Sequence, residues 1–503
     1  MESSTEKKLF QYSPGKHQVD LFFPNTYQAA MGSLGFQSVY HLLSLQPQFD
    51  VTRRYYSDAF NSKKSNHSFS APIIALSIAF ELDIINFIKA LLDAGIEPCA
   101  DKRTGPLIVA GGVLTQINPL PLSPFIDIFM IGDGEIMIPE FAKRYEENYL
   151  GGKAKILEAV KELPGFWAPS YGKTKKITPQ VKSRSKPLHS VFYSPASHFG
   201  EMFLIEVGRG CPRKCRFCAS SHIHGYEFHK LEDILQIIDK NIDGPGAVVG
   251  LIGSALSDYP DLEKLIEKLI DRGHRPGISS IRPDALTPKL AELMVKSKVR
   301  TLTLAPEAGS LRLRKIIGKG ITDNKIYESV KIAVEAGISN LKLYFLIGLP
   351  GETAEDIDSM IEMIARIAGI TSPENLQVSV NNFIPKPHTP FQWAGTKPEN
   401  YSKAVRKKLR ENFPSLKFSR KSPALETIQS LISNGNETTG EALSDHVRSG
   451  ISLKDALRRR GEIPENILGL KPDNFSFPWD FLSSDSEKGD LLKIWHNLPE
   501  KEE

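Results

Sequence analysis

The chain has 503 residues, 41% of them hydrophobic and 24% charged, and a net charge of +4 from 63 basic and 59 acidic side chains. That length accommodates two or three domains, each with its own core, and the charge balance is too slight to imply a polyanion partner for the whole molecule. Four cysteines, three of them clustered, argue against a disulfide framework and for a reducing compartment. The N-terminus lacks the apolar core of a signal peptide, and the longest apolar runs, such as residues 71–80, are about half of a membrane span. The expectation is a cytoplasmic protein with no membrane partner.

Residues 1–170 alternate β-type runs with amphipathic runs. Residues 19–23, 72–79, 107–110 and 126–131 read as buried parallel strands, and 34–45 and 82–92 have helical periodicity. This predicts an α/β, Rossmann-like doubly wound domain. Gly111 and Gly112 directly follow a strand, where a ligand of such a fold meets the strand ends. Residues 171–198 read as a linker, basic and interspersed with Pro and Ser between 173 and 186.

The alternation resumes over residues 199–394. Strands are predicted at 202–207, 247–252, 277–281, 300–304, 340–347 and 376–381, with helices at 231–242, 262–270, 322–335 and 354–368. Six βα units fall short of the eight that close a TIM barrel, so a partial (β/α)6 barrel is expected, with its chemistry at the C-terminal strand ends. Residues 395–503 read as a small helical C-terminal region. Its basic runs, Lys403 to Arg410 and Arg458 to Arg460, are either the wet face of a helix or contacts for nucleic acid phosphates, which are not excluded.

Directly after the first strand of this second array stand Cys211, Cys215 and Cys218, in the spacing C-x3-C-x2-C. Thiolates this close in a cysteine-poor chain point to a metal. Three of them leave one iron of a four-iron cluster without a protein ligand. The alternative is a Cys3His zinc site completed by His222, His224 or His229. The loop carries permissive backbone at Gly208-Arg209-Gly210 before it and aromatic Phe217 before the last cysteine.

These residues resemble the radical SAM signature. The resemblance implies a [4Fe–4S] cluster on Cys211, Cys215 and Cys218, with S-adenosylmethionine (SAM) chelating the open iron. It further implies reductive cleavage of SAM to a 5′-deoxyadenosyl radical, fed by a reductant such as flavodoxin or ferredoxin. Later strand ends fit in order. Gly253-Ser254-Ala255 stands where the family usually has Gly-Gly-Glu at the SAM amino group. Thr303 to Ser310 resembles a segment often reading Glu-Ser-Gly, which makes Glu307 either a SAM contact or the cap of the next helix. Ile347 to Thr353 matches the Gly-Leu-Pro-Gly-Glu-Thr turn near the adenine. Arg282 either pairs with a carboxylate of SAM or substrate, or with Glu307 or Asp284. His388 reads as a proton donor or acceptor, or as a satisfied loop histidine.

A Rossmann-like domain ahead of such a barrel is similar to the cobalamin-binding radical SAM enzymes, many of them methyltransferases. The resemblance places Gly111 and Gly112, with Ser77, at the pocket for the cobalamin nucleotide tail. The loop after the first strand has no Asp-x-His-x-x-Gly, so no histidine stands there to ligate cobalt, and neither His17 nor His41 is placed to replace it. Methyl transfer is the leading outcome. The alternatives are a cobalamin-independent hydrogen abstraction or rearrangement, and a non-catalytic zinc or iron–sulfur sensor or scaffold. The substrate is not legible.

Overall fold

The computed structural model describes residues 6–56, 69–173, 175–183, 186–223, 225–278, 280–419 and 422–498. The chain forms two compact units: Met1–Glu201 with Leu431–Leu468 and Asn474–Asp485, and Met202–Ser430 with Gly469–Asp473 and Ser486–Glu503.

The first unit is built on six strands: β1 (His17–Phe23), β2 (Phe49–Tyr55), β3 (Ile73–Ser77), β4 (Leu107–Gly111), β5 (Ile128–Met130) and β6 (Phe166–Trp167). Their order is β2-β1-β3-β4-β5-β6, parallel except for β6. Val19, Leu21, Ile73, Ile74, Ile108 and Val109 are buried, as strands covered on both faces require. Strand β2 escaped the sequence reading because its run, FDVTRRY, mixes polar residues into a sheet-edge strand. Helix α1 (Leu34–Ser44) starts where the Ser33 hydroxyl accepts a hydrogen bond from the Phe36 N–H. Helix α2 (Asp83–Asp93) buries Ile84, Phe87, Ile88 and Leu91.

The expected linker is not free chain. Ile177, Val191 and Phe192 are buried, and Gln180 exchanges backbone hydrogen bonds with Ile131 and Asp133. Its few apolar residues are spaced too irregularly to read as an element. The expected C-terminal region is likewise not one body, since its residues divide between the two units. Leu431, Ile432, Ala442 and Leu443 are buried, and a Cβ on Gly440 would stand 2.3 Å from the Pro121 carbonyl oxygen within the first unit. Trp495, in contrast, packs edge-on to Phe391 of the second.

The second unit carries seven parallel strands: β7 (Met202–Glu206), β8 (Val248–Ile252), β9 (Arg275–Gly277), β10 (Thr301–Glu307), β11 (Asn340–Ile347), β12 (Leu376–Asn382) and the two-residue β13 (Lys417–Phe418). They hydrogen-bond as β9-β8-β7 and β10-β11-β12-β13, and the Ile281 N–H donates to the Thr303 carbonyl at 3.2 Å between the two sets. The six expected βα units are present as an open barrel, with β13 unforeseen. The third strand ends earlier than expected, and Ser279 lies outside the described residues. Helices cover the outside through one apolar face each, as in Leu262–Asp271, where Leu262, Leu265, Ile266 and Leu269 are buried.

Two substitutions in the first unit test its packing. Gly112 has φ +118°, and a Cβ there would lie 2.2 Å from the Ile78 carbonyl oxygen, whereas one on Gly111 would meet the Met130 oxygen at an ordinary 3.6 Å. Gly112→Ala is expected to cost about 2 kcal/mol or more and Gly111→Ala much less, compared by thermal unfolding. Burial pushes the Asp83 carboxyl up to about 6, so its contribution is full below about pH 4 and lost as pH rises through about 6. Asp83→Asn keeps an acceptor for the Asn25 amide that donates to Asp83 at 2.9 Å. It should gain about 2–3 kcal/mol at pH 7 and little at pH 4, read from denaturant midpoints at the two pH values.

Candidate active site

The cysteine loop is held from several sides. Before it, Gly208 and Arg209 pair antiparallel with Phe228 and Glu227, so closely that a Cβ on Gly210 would lie 2.2 Å from the Gly225 oxygen. Within it, the Cys218 N–H donates to the Cys215 carbonyl at 3.2 Å, and the Arg216 N–H donates to the Ile317 carbonyl at 2.9 Å. The Arg216 guanidinium donates to the Ile316 carbonyl at 2.7 Å, and the Arg216 carbonyl accepts from the Phe391 N–H at 3.1 Å.

All three cysteines line one cavity of about 240 Å³, together with Phe217, Gly253, Ser254, Arg282 and Glu307. Burial pushes the Cys215 and Cys218 thiols up, so metal binding there must release protons. Glu307 is brought in by a register shift between Leu304 and Glu307 and has φ +69°. It is not the helix cap, a role taken by Ser310, whose hydroxyl accepts from the Leu313 N–H at 3.0 Å. Glu307 instead accepts from Lys319 Nζ at 2.9 Å. Arg282 pairs with Asp284, the structural option among those open to it.

Three expected site residues lie elsewhere. Ile347 is fully buried at the end of β11, does not line this cavity, and accepts from the Phe383 N–H at 2.8 Å. In the turn after it, Glu352 accepts from the Gly348 N–H at 2.5 Å and from Tyr401, so that motif is braced by its own carboxylate. Gly111 and Gly112 belong to the first unit. Cys99 is also there, on a separate cavity of about 680 Å³ with Glu97, Arg448 and Arg460. His388 is buried, and its backbone N–H donates to the Gln392 side chain at 3.1 Å.

Sequence reasoning missed Arg213, Ser221, Ser257, Asp258, Ser280 and Lys319, which complete the polar part of the lining. Arg213 donates to Asp258 at 2.9 Å, and the Ser257 hydroxyl accepts from the Arg282 N–H at 3.0 Å. The available signals were slight: Asp258 lies five residues after Gly253, and Lys319 sits in a Gly-Lys-Gly turn.

The zinc alternative loses its histidines. His222 is buried, with ring nitrogens on the Cys215 carbonyl at 3.2 Å and the Ser486 hydroxyl at 3.1 Å, and burial pushes it down to about 4. His229 is paired with Glu206 at 3.0 Å, and His224 lies outside the described residues. Among the described residues no three His, Cys, Asp or Glu side chains converge as a single metal ion requires. Zinc, with Zn–S bonds of about 2.3 Å, would draw its thiolates to within about 4 Å of one another. A four-iron cluster is wider, and soft sulfur donors suit it.

Comparison with known proteins agrees with this donor set. The description "Radical SAM superfamily" matches residues 205–364, and "Radical SAM proteins, N-terminal" matches residues 35–169. The chain belongs to the radical SAM superfamily. An uncharacterized protein of Methanocaldococcus jannaschii is 29% identical over 457 residues, 88% of this chain and 94% of that one. An uncharacterized methyltransferase of Pyrococcus horikoshii is 25% identical over 291 residues, 52% of this chain and 58% of that one. The radical SAM methyltransferase TsrM from Kitasatospora setae, solved with cobalamin and a [4Fe–4S] cluster, shares the fold. Its TM-score is 0.56 at 13% identity, covering 87% of this chain and 100% of that one.

The placement of the cysteines in this radical SAM protein depends on Gly318, which has φ +73° and whose added Cβ would lie 2.9 Å from the Lys214 oxygen. Gly318→Ala is expected to impair iron–sulfide loading, read as loss of cluster absorbance, while the far-UV circular dichroism stays near that of the parent.

Proposed function

We propose that Cys211, Cys215 and Cys218 hold a [4Fe–4S] cluster in this radical SAM enzyme, and that SAM occupies the cavity beside them. The observation that carries this reading is the opening of all three thiols onto one cavity with Gly253, Ser254, Arg282 and Glu307. Bound there, cluster and SAM supply a 5′-deoxyadenosyl radical on one-electron reduction. The chain's own residues bind and orient. Gly253, whose Cβ would stand 3.3 Å from the Gly208 oxygen, keeps the second strand end close to the cysteine loop. Glu307 and Arg282, each already paired with an opposite charge, offer the cavity their polarity without leaving an isolated charge behind. Phe217 supplies an apolar wall.

Methyl transfer is the outcome we favour, on the likeness to the P. horikoshii methyltransferase and to TsrM. The N-terminal unit is of the kind that carries cobalamin in such enzymes. Its first loop, Pro24-Asn25-Thr26, offers no imidazole. His17 is paired with Glu146, and His41 with Tyr12. The tight contact of Gly112 with Ile78 already accounts for that glycine without a ligand. These residues do not fit a cobalt ligand. A reductant of the flavodoxin or ferredoxin type completes the system. Among the described residues no helix is long and apolar enough to cross a membrane.

Several cations of the C-terminal basic runs are held in ion pairs, while Arg410 and Arg459 are exposed. Arg406 is held by Glu426, Lys408 by Asp358, Arg458 by Glu465, and Arg460 by Glu441 and Asp445.

The test is anaerobic reconstitution with SAM and reductant, with and without methylcobalamin. Brown protein, 5′-deoxyadenosine and S-adenosylhomocysteine are expected in both arms. Replacing any of Cys211, Cys215 or Cys218 by Ala should remove cluster absorbance and 5′-deoxyadenosine, while Cys99→Ala keeps both. A colourless, zinc-loaded protein that leaves SAM intact would overturn the proposal.

A further inference from the structure

Strands β10, β11 and β12 show two unlike faces. Leu302, Leu304, Leu343, Phe345 and Val378 are fully buried on the outer face. The alternate residues face inward, a direction fixed by Ala305, which precedes the register shift and lines the cysteine cavity. Register extends that inner face across the sheet: Lys342 lies beside Thr303 and Gln377, and Asn381 lies beside Leu346.

A closed barrel fills such a space with packed side chains. The side formed by β7 to β9 does so here, since a Cβ on Gly250 would lie 2.4 Å from Met202 Sδ and one on Gly277 would lie 3.0 Å from Met202 Cε. The side formed by β10 to β12 does not. Thr303, Lys342, Tyr344 and Gln377 are only partly buried, and their side chains make no hydrogen bond or ion pair with a described residue. The ammonium of Lys342 stands 5.0 Å from the Tyr344 ring centre, with no carboxylate in reach among the described residues. Asn381 Oδ1 is buried and has no donor. Asn381 Oδ1 is a buried acceptor that a ligand donor completes, and the solvent-reached Lys342 ammonium, with no carboxylate partner among the described residues, is placed to meet an anion.

We propose that this wall is the substrate subsite, and that the substrate carries an anionic group, carboxylate or phosphate, met by Lys342, and an N–H or O–H donor met by Asn381. The two positions are four residues apart along adjacent strands, about 13 Å at 3.3 Å per residue. The anion therefore lies deep in the barrel, and the donor near the mouth, level with Glu307 and the cysteine loop. That orientation turns the part of the substrate beside Asn381 toward the reacting end. The assignment of this wall to substrate rests on the cysteine cavity being the place where SAM is cleaved.

The test uses the full chain without iron, so that failure of the cluster reading appears in reconstitution and not here. Benzoate, benzamide and benzylamine share one ring shape and differ in charge, and their binding is measured by ligand-observed NMR. Benzoate is expected to bind at least about tenfold more tightly than benzamide, with benzylamine weakest. Lys342→Gln should bring benzoate down to the level of benzamide, and Lys342→Arg should restore the preference. On the unmodified chain, saturating benzoate should slow acetylation of Lys342 by acetic anhydride several-fold, read by mass spectrometry, and benzylamine should not. Equal binding of the three probes, undiminished benzoate affinity in Lys342→Gln, or an unprotected Lys342 would each overturn the assignment.

Discussion

The backbone of Arg216 ties the cysteine loop to two distant parts of the barrel at once. Its N–H reaches the Ile317 carbonyl and its carbonyl receives the Phe391 N–H, while its guanidinium caps the end of the helix Leu311–Ile316 through Ile316. A loop of three thiols has no regular secondary structure to hold it ahead of metal binding. These hydrogen bonds, with the tight backbone approach at Gly210, supply that order from the protein side. Everything else in the site is positioned relative to this loop.

Charge around the cavity is arranged in neutral pairs: Arg213 with Asp258, Arg282 with Asp284, and Lys319 with Glu307. Each pair fixes a long side chain at the rim and spares the cavity an isolated buried charge. The inner wall of β10 to β12 is built on the opposite rule, since among the described residues Lys342 has no carboxylate partner and Asn381 Oδ1 no donor. One wall is therefore already balanced in charge before a cofactor arrives. The other is incomplete until a complementary molecule arrives.

Much of the fold was legible, because buried parallel strands and one-sided helices leave strong periodic signals, as residues 19–23 and 262–270 show. What escaped was built from weak signals. Strand β2 is half polar, β13 is two residues long, and the supposed linker is anchored by backbone bonds at Gln180 that no side-chain pattern announces. Ile347 was expected near the cofactor; its side chain is core and off the cysteine cavity, and the turn after it is braced by Glu352 and Tyr401. Lys319 entered the site from a turn that lies a hundred residues beyond the cysteines in sequence and against Glu307 in space.

The sequence by itself determined the donor chemistry: three clustered thiols, a succession of strand ends rich in glycine, and a barrel of six units. Those are local properties, set by spacing and period. Only the tertiary structure decided which polar groups are already satisfied. His222 and His229 were removed from the metal question by the Cys215 carbonyl, Ser486 and Glu206, and Glu307 was turned toward the cavity by a bulge in β10. Lys342 was set on an inner wall, beside the Tyr344 ring and with no carboxylate partner among the described residues, by strand register. Satisfaction of a polar group depends on neighbours brought in from anywhere along the chain, which spacing in one segment does not encode.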